Sequence, residues 1–159
     1  MAEAQPSTLT AHCPMKPINV GLLGIGTVGG GTYSVLKRNA EEITRRAGRP
    51  IQVGIVADRN LERARQRTGG TCRVTDDPFA VVSDPEVDIV VELIGGCDVA
   101  KALVLQAIDN GKHVVTANKA LLAKHGNEIF AAAQARGVMV AFEAAVAGGI
   151  PIIKALREG

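Results

Sequence analysis

Tryptophan is absent, and aromatic residues make up only 3% of the sequence. A core without aromatic bulk has to be filled by Val, Ile, Leu and Ala. That mixture favours a buried parallel sheet, whose strands read as continuous aliphatic runs between flanking helices. Cysteine is scarce: Cys13, Cys72 and Cys97 are an odd number with no CxxC spacing. This argues against a disulfide framework or a zinc site, so a reducing cytoplasm is the expected compartment and the thiols read as small fillers or chance surface groups. Neither sign of charge dominates. A formal net charge of +2 argues against nucleic acid or an anionic membrane as partner. No aliphatic run approaches the roughly 20 residues that a membrane span needs. The opening "MAEAQPSTLTAHCP" has neither the basic start nor the apolar stretch of a signal peptide, and residues 1–15 read as a disordered extension. Internal repeats and low-complexity stretches are missing as well.

What is present is a regular alternation. With 159 residues, 47% apolar and 21% charged, the chain suits one globular domain. "INVGLL" is a first strand ending in glycines. "TVGGGTYSVLKRNAEEITRRAG" reads as one helix with Val28, Tyr33 (or Thr32), Val35 and Leu36 as its apolar stripe, ended by Gly48 and Pro50. "IQVGIVAD" is a second strand, and "NLERARQRT" a short helix capped by Asn60. "CRVT" is a brief third strand, and "DDPFAVVSD" a short helix with Pro78 near its first position. "VDIVVELIG" is the best strand, apolar except at Asp88 and Glu92. "DVAKALVLQAIDNG" is an amphipathic helix capped by Asp98 and stopped by Gly111. "KHVVTAN" is a fifth strand, and "ALLAKHGNEIFAAAQARG" a helical segment expected to break near Gly126. "VMVAFEAAV" is a sixth strand, and "GGIPIIKALREG" starts a helix that runs to the end of the sequence. Strand and helix thus alternate about six times, the pattern of a three-layer, doubly wound parallel α/β sheet. Its expected strand order is 3-2-1-4-5-6, with ligand at the carboxyl ends where the order reverses. An end inside a helix suggests a fragment of something longer.

The glycines of "INVGLLGIGTVGGG" stand between a strand and a helix. Gly24 allows the tight turn, Gly26 lets backbone approach a pyrophosphate, and Gly29 lets helix and strand pack closely. The helix amino terminus offers unpaired N–H groups and partial positive charge to phosphates. The alternative is a tight turn without a ligand, and the flanking strand and helix favour a dinucleotide. Asp58, at the end of the second strand, is the expected partner of the adenosine ribose. It suits the free hydroxyls of NAD, whereas its neighbour Arg59 suits the 2′-phosphate of NADP, and the sequence does not choose between them. "ELIGG" ends the fourth strand in small residues, where a nicotinamide ribose can lie close to backbone. Lys119 stands at a helix start, an unfavourable place for a cation, which points to a ligand or a carboxylate beside it. Glu143 closes the sixth strand, with its carboxylate or carbonyl facing the site, and the glycines after it expose carbonyls suited to a hard cation.

Taken together, "GLLGIGTVGGG", "ELIGG", "HVVTANKALLA" and "EAAVAGGIPII" resemble successive signatures of the homoserine dehydrogenase family, in the right order from Ile18 to Gly159. The resemblance implies a Rossmann domain of an enzyme that reduces L-aspartate 4-semialdehyde to L-homoserine with NADPH or NADH, on the route to threonine, methionine and isoleucine. It implies that Gly24, Gly26, Thr27, Val28 and Gly29 hold the pyrophosphate and that Ala57, Asp58 and Arg59 face the adenosine ribose. Ile94, Gly95 and Gly96 flank the nicotinamide ribose. Lys119 lies near the cofactor and the substrate end of the cleft, with an electrostatic or positioning role. Carbonyls of Glu143, Val146, Gly148 and Ile150 are implied as a monovalent cation site, for sodium. Residues 16–159 are then a dinucleotide-binding domain, and the catalytic and substrate residues follow beyond it in a full-length homo-oligomer. Two alternatives differ in sequence. Rossmann oxidoreductases of sugars or other amino acids commonly carry "EKP" where this chain has "ANKA". A non-catalytic NAD(P)-sensing module usually carries a DNA-binding or partner-binding segment.

Overall fold

A computed structural model describes residues 15–146, 148 and 150–158; apart from Met15, the expected amino-terminal extension lies outside them. The elements run β1 (Ile18–Leu23), α1 (Thr27–Arg38), α2 (Ala40–Ala47), β2 (Ile51–Ala57), α3 (Leu61–Thr68), β3 (Arg73–Thr75) and α4 (Pro78–Ser83). They continue as β4 (Ile89–Glu92), α5 (Asp98–Asp109), β5 (His113–Thr116), α6 (Lys119–Arg136), β6 (Val140–Ala141), α7 (Glu143–Val146) and α8 (Ile152–Glu158). The strands form one parallel sheet in the order β3-β2-β1-β4-β5-β6, the expected order. Because the chain winds outward from β1 in both directions, the order reverses between β1 and β4.

Successive residues of the central strands feed opposite cores, which is why those strands are aliphatic throughout. Leu23, Ile55 and Val90 point to one face, where Val81, Leu103, Val104, Leu121 and Ile129 cover them. Leu22, Val56 and Val91 point to the other, beneath Ile25, Tyr33 and Ala64. α4 lies so close to β1 that a Cβ on Gly21 would stand 2.5 Å from Val81 Cγ1. Caps follow the sequence signals at α3 and α4: Asn60 accepts from Arg63 N at 2.9 Å, and Asp77 accepts from Phe79 N at 2.8 Å ahead of Pro78.

Five local expectations are corrected. The helix after the glycine turn is two helices, parted at Asn39, whose φ of −103° and ψ of 20° leave the helical region. Asn is a weak helix former and tolerates such a joint. The apolar stripe of α1 is displaced: Gly29 and Tyr33 are buried, whereas Val28 and Val35 are exposed, so the buried face runs through Gly29, Tyr33 and the half-buried Leu36. Asp98 is not the cap of α5; Cys97 holds that position without a side-chain bond, and Asp98 stands in the first turn, where a negative charge suits the helix dipole. α6 does not break at Gly126 but runs unbroken for 18 residues, because Gly126 is buried among strong helix formers with the Phe130 ring 3.5 Å from its Cβ position. β6 is only Val140–Ala141, paired to Val114 and Val115, and from Glu143 the chain turns helical. β5 ends at Thr116, so a longer edge strand would have little to pair with, and "EAAV" favours a helix.

Candidate functional site

The glycine turn is set by close packing. Gly24 has φ +91° and donates to Ala57 O at 2.8 Å, tying the turn to the end of β2. A Cβ on Gly29 would fall 2.0 Å from Gly24 O, so helix and strand meet backbone to backbone there. At Gly26 nothing lies within 4 Å of the Cβ position, and the space a side chain would fill is open. α1 begins with neither a side-chain cap nor an acidic residue in its first turn. Its first amides, those of Thr27, Val28 and Gly29, therefore have no intrahelical acceptor and face outward with the positive end of the dipole. These features suit a pyrophosphate and leave room for it.

Asp58 fastens this turn. Its Oδ2 accepts from Ile25 N at 2.9 Å, while Oδ1 accepts from Asn60 N at 2.9 Å and from Arg63 Nη2 at 2.6 Å. Burial pushes the carboxyl up, but the two amides and the Arg63 guanidinium outweigh it and hold Asp58 below the usual carboxylate range. Arg67 of α3 adds a second fastening, with Nη1 donating to Ile25 O at 2.6 Å and to Gly26 O.

Gly24, Gly26, Asp58, Arg59 and Ile94 line one cleft of about 260 Å³, together with Arg63 and Leu93. Ala57, Asp58, Arg59 and Ile94 also line a smaller hollow of about 100 Å³, closed by Asp76, Pro78 and Val99. Both lie at the carboxyl ends of the strands, across the point where the order reverses. A hollow of about 330 Å³ between Tyr33, Lys37, Ile51 and Val53 lies instead beside the α1–α2 joint, away from the glycine turn. Its lining brings no converging set of polar groups to one point, and it carries no functional assignment.

Gly95 and Gly96 follow Ile94 in the β4–α5 loop, and Asn118 Nδ2 donates to Gly96 O at 2.6 Å, joining that loop to the end of β5. Lys119, the next residue, is exposed at the first position of α6. Among the described residues no carboxylate pairs with it. The four expected cation ligands lie in another arrangement from the strand end read in the sequence. Glu143 opens α7, and its carboxylate accepts from Ile153 N at 2.9 Å and Lys154 N at 3.2 Å, so it is committed to the start of α8. Ile150 O accepts from Ile152 N at 2.8 Å; Val146 and Gly148 stand between, beside residues outside the described set.

Sequence reading passed over Arg63, Arg67 and Asp76, and marked Glu92 only as a polar exception in its strand. Arg63 is on the first turn of a helix whose cap had been recognised, five residues after Asp58, and that spacing is the one signal that pointed to it. Contacts of Arg67 across 42 residues, and of Glu92 across 24, have no local signature.

Comparison with known proteins matches residues 24–143 to the family model described as the homoserine dehydrogenase NAD-binding domain. A homoserine dehydrogenase of Pseudomonas aeruginosa is 65% identical over 145 residues, 91% of this chain and 33% of the relative. One of Bacillus subtilis is 41% identical over 145 residues, again 91% of this chain and 34% of the relative. The crystal structure of a homoserine dehydrogenase from Thiobacillus denitrificans superposes with a TM-score of 0.86 at 73% identity, over 92% of this chain and 34% of that one. The chain thus spans about a third of the length of the relatives it matches. Fold, glycine turn and sequence agree, and the chain belongs to the homoserine dehydrogenase NAD-binding domain family.

Proposed function

We propose that this chain is the dinucleotide-holding part of an oxidoreductase that reduces L-aspartate 4-semialdehyde to L-homoserine with NAD(P)H. The observation that carries the reading is the cleft at the reversal of strand order, where an open Gly26 faces uncapped amides of α1 in a chain of this family. The first-turn amides and the turn residues Gly24, Gly26, Thr27, Val28 and Gly29 hold the pyrophosphate. Ala57, Asp58 and Arg59 face the adenosine ribose. Both Asp58 oxygens already accept internal donors, Arg63 among them, whereas Arg59 lines the same cleft with no ion pair among the described residues. An unpaired guanidinium suits a phosphate, which favours the 2′-phosphate of NADP.

Ile94, Gly95 and Gly96 flank the nicotinamide ribose. When bound, the cofactor supplies a hydride from C4 of its nicotinamide. Lys119 places a positive charge near that end of the cleft, where it favours negative charge developing on the substrate oxygen. Carbonyl oxygens of Glu143, Val146, Gly148 and Ile150 are hard donors suited to a monovalent cation such as sodium. Residues 16–159 form the dinucleotide-binding domain. The share of the relatives' length that this chain spans supports placing substrate-holding and proton-donating groups outside it. Calorimetric titration with NADPH and with NADH tests the reading: binding is expected to both and tighter to NADPH, and silence with both overturns it.

A further inference from the structure

We infer that Glu92 is a positioning residue for the nicotinamide half of the dinucleotide, an inference that rests on the cofactor reading above. Glu92 ends β4 and is fully buried. Its carboxylate meets three donors: Ile94 N at 3.0 Å and Gly95 N at 3.3 Å on Oε1, and Thr116 Oγ1 at 2.6 Å on Oε2. No cationic side chain pairs with it among the described residues. Thr116, also fully buried at the end of β5, accepts from Asn118 N at 3.1 Å, so its single proton goes to Glu92. Asn118 in turn caps α6 through Leu121 N at 3.0 Å and donates Nδ2 to Gly96 O at 2.6 Å. The chain of bonds closes on itself, from the β4–α5 loop through Glu92, Thr116 and Asn118 back to that loop.

Stability alone is a poor reason for this arrangement. Ile94, Gly95 and Gly96 are exposed, and water can satisfy their amides. Burying a carboxylate without a cation is costly, and an apolar residue at the end of β4 would avoid the cost. Departures of this kind concentrate where a site must be held in one shape. The shape held here is the wall facing the glycine turn, where Ile94 Cγ2 and Leu93 O stand 3.2 Å from the Gly24 Cβ position. In the order β3-β2-β1-β4-β5-β6, the adenosine end lies over β2 and the nicotinamide end over β4 and β5. Glu92 therefore governs one half of the ligand and leaves the other to Asp58 and its neighbours.

Two ligands separate the halves: NADPH, and 2′-phospho-ADP, which ends at the pyrophosphate and lacks both the nicotinamide and its ribose. Affinities of both are measured by calorimetry for the wild-type chain and for Glu92→Gln, Thr116→Val and Thr116→Ser, with thermal unfolding of each variant alongside. Glu92→Gln keeps an oxygen for the loop amides but loses the acceptor for Thr116; Thr116→Val removes the hydroxyl from the other side. Each is expected to weaken NADPH about tenfold, the scale of a hydrogen bond to a charged group, and to leave 2′-phospho-ADP unchanged. Thr116→Ser restores NADPH affinity, and the Glu92→Gln, Thr116→Val double variant is no weaker than either single one. Equal losses for the two ligands, or no loss for either, overturn the inference. Should Glu92→Gln fail to fold, the Thr116→Val and Thr116→Ser pair decides by the same comparison. A wild-type chain that binds neither ligand overturns the cofactor reading instead.

Discussion

Gly26 and Gly29 stand three apart in one turn and are glycine for opposite reasons. At Gly29 the obstacle is internal, Gly24 O at 2.0 Å from the Cβ position, and backbone cannot swing aside as a side chain can. Gly29→Ala is expected to destabilise the fold by about 3 kcal/mol, the upper range of overpacking, read as a lower midpoint in urea. At Gly26 nothing beyond the neighbouring residues stands within 4 Å of the Cβ position, so Gly26→Val is expected to unfold at the wild-type temperature while losing dinucleotide binding. Equal destabilisation by both substitutions would mean that the open space at Gly26 belongs to the fold and not to a ligand. The spacing of the three glycines was legible in the sequence. The bond from Ile25 N to Asp58, across 33 residues, was not, and it changes how Asp58 is understood. An acid expected to face a ribose proves also to fasten the turn. Its pH dependence follows with a definite sign. The folded-state pKa of Asp58 lies below the ordinary 3.8, and so does that of Asp84, where burial opposes the Glu86 amide and the Arg73 and Lys112 charges but is outweighed. Stability from such a group is fully present above the ordinary carboxylate pKa and is lost as pH falls through the depressed one. Urea unfolding across pH should therefore show a steep loss beginning below about pH 4, and Asp58→Asn should make that loss shallower. An unaltered slope would remove Asp58 from the fastening.

Helices and strands were legible wherever a strong period met a clear stop, and misread where tertiary surroundings decided. Asn60 and Pro78 carry their signals within four residues of chain, and α3 and α4 begin where those signals fall. Gly126 gave the opposite lesson: a lone glycine suggested a break, yet α6 packs Leu121, Ile129 and Ala133 onto the sheet on both sides of it and runs through. The short β6 was overread for a related reason, since the aliphatic run continues past the point where β5 stops offering partners. Continuity across Gly126 leads to a substitution that improves the protein. Its nearest neighbour outside the helix backbone is the Phe130 ring, at 3.5 Å from the Cβ position, an ordinary contact distance. Gly126→Ala thus meets no obstacle, removes backbone freedom from the unfolded chain and is expected to stabilise by about 0.5–1 kcal/mol. Thermal unfolding reads this as a higher midpoint, and a lower one would show that the ring cannot accept the methyl group.

For the molecule entire, alternation of strand and helix was enough to foresee the order β3-β2-β1-β4-β5-β6, and with it the edge on which a ligand is expected. Apart from Arg63, whose spacing from Asp58 is local, the cross-ties that turn this edge into a shaped cleft were beyond reach of any local pattern. Arg63 and Arg67 come from α3, Ile94 from the β4 loop and Asn118 from the end of β5, and only the twisted sheet brings them around the glycine turn. Such a cleft is built from segments that follow β1, β2, β3 and β4, so its ligand should tie those segments together and be felt in unfolding as a whole. A ligand that binds only the folded state at a hundred times its Kd stabilises by about 2.7 kcal/mol. For a chain of this size each kcal/mol raises the midpoint by about 2–4 °C, so saturating NADPH is expected to raise it by roughly 5–11 °C. The rise should continue with concentration and not level off at saturation, since each further tenfold adds about 1.4 kcal/mol. Gly26→Val, which starts from the wild-type midpoint, should need far more NADPH for the same rise. A midpoint that ignores NADPH at every concentration would mean that the edge where the strand order reverses holds no dinucleotide in this chain.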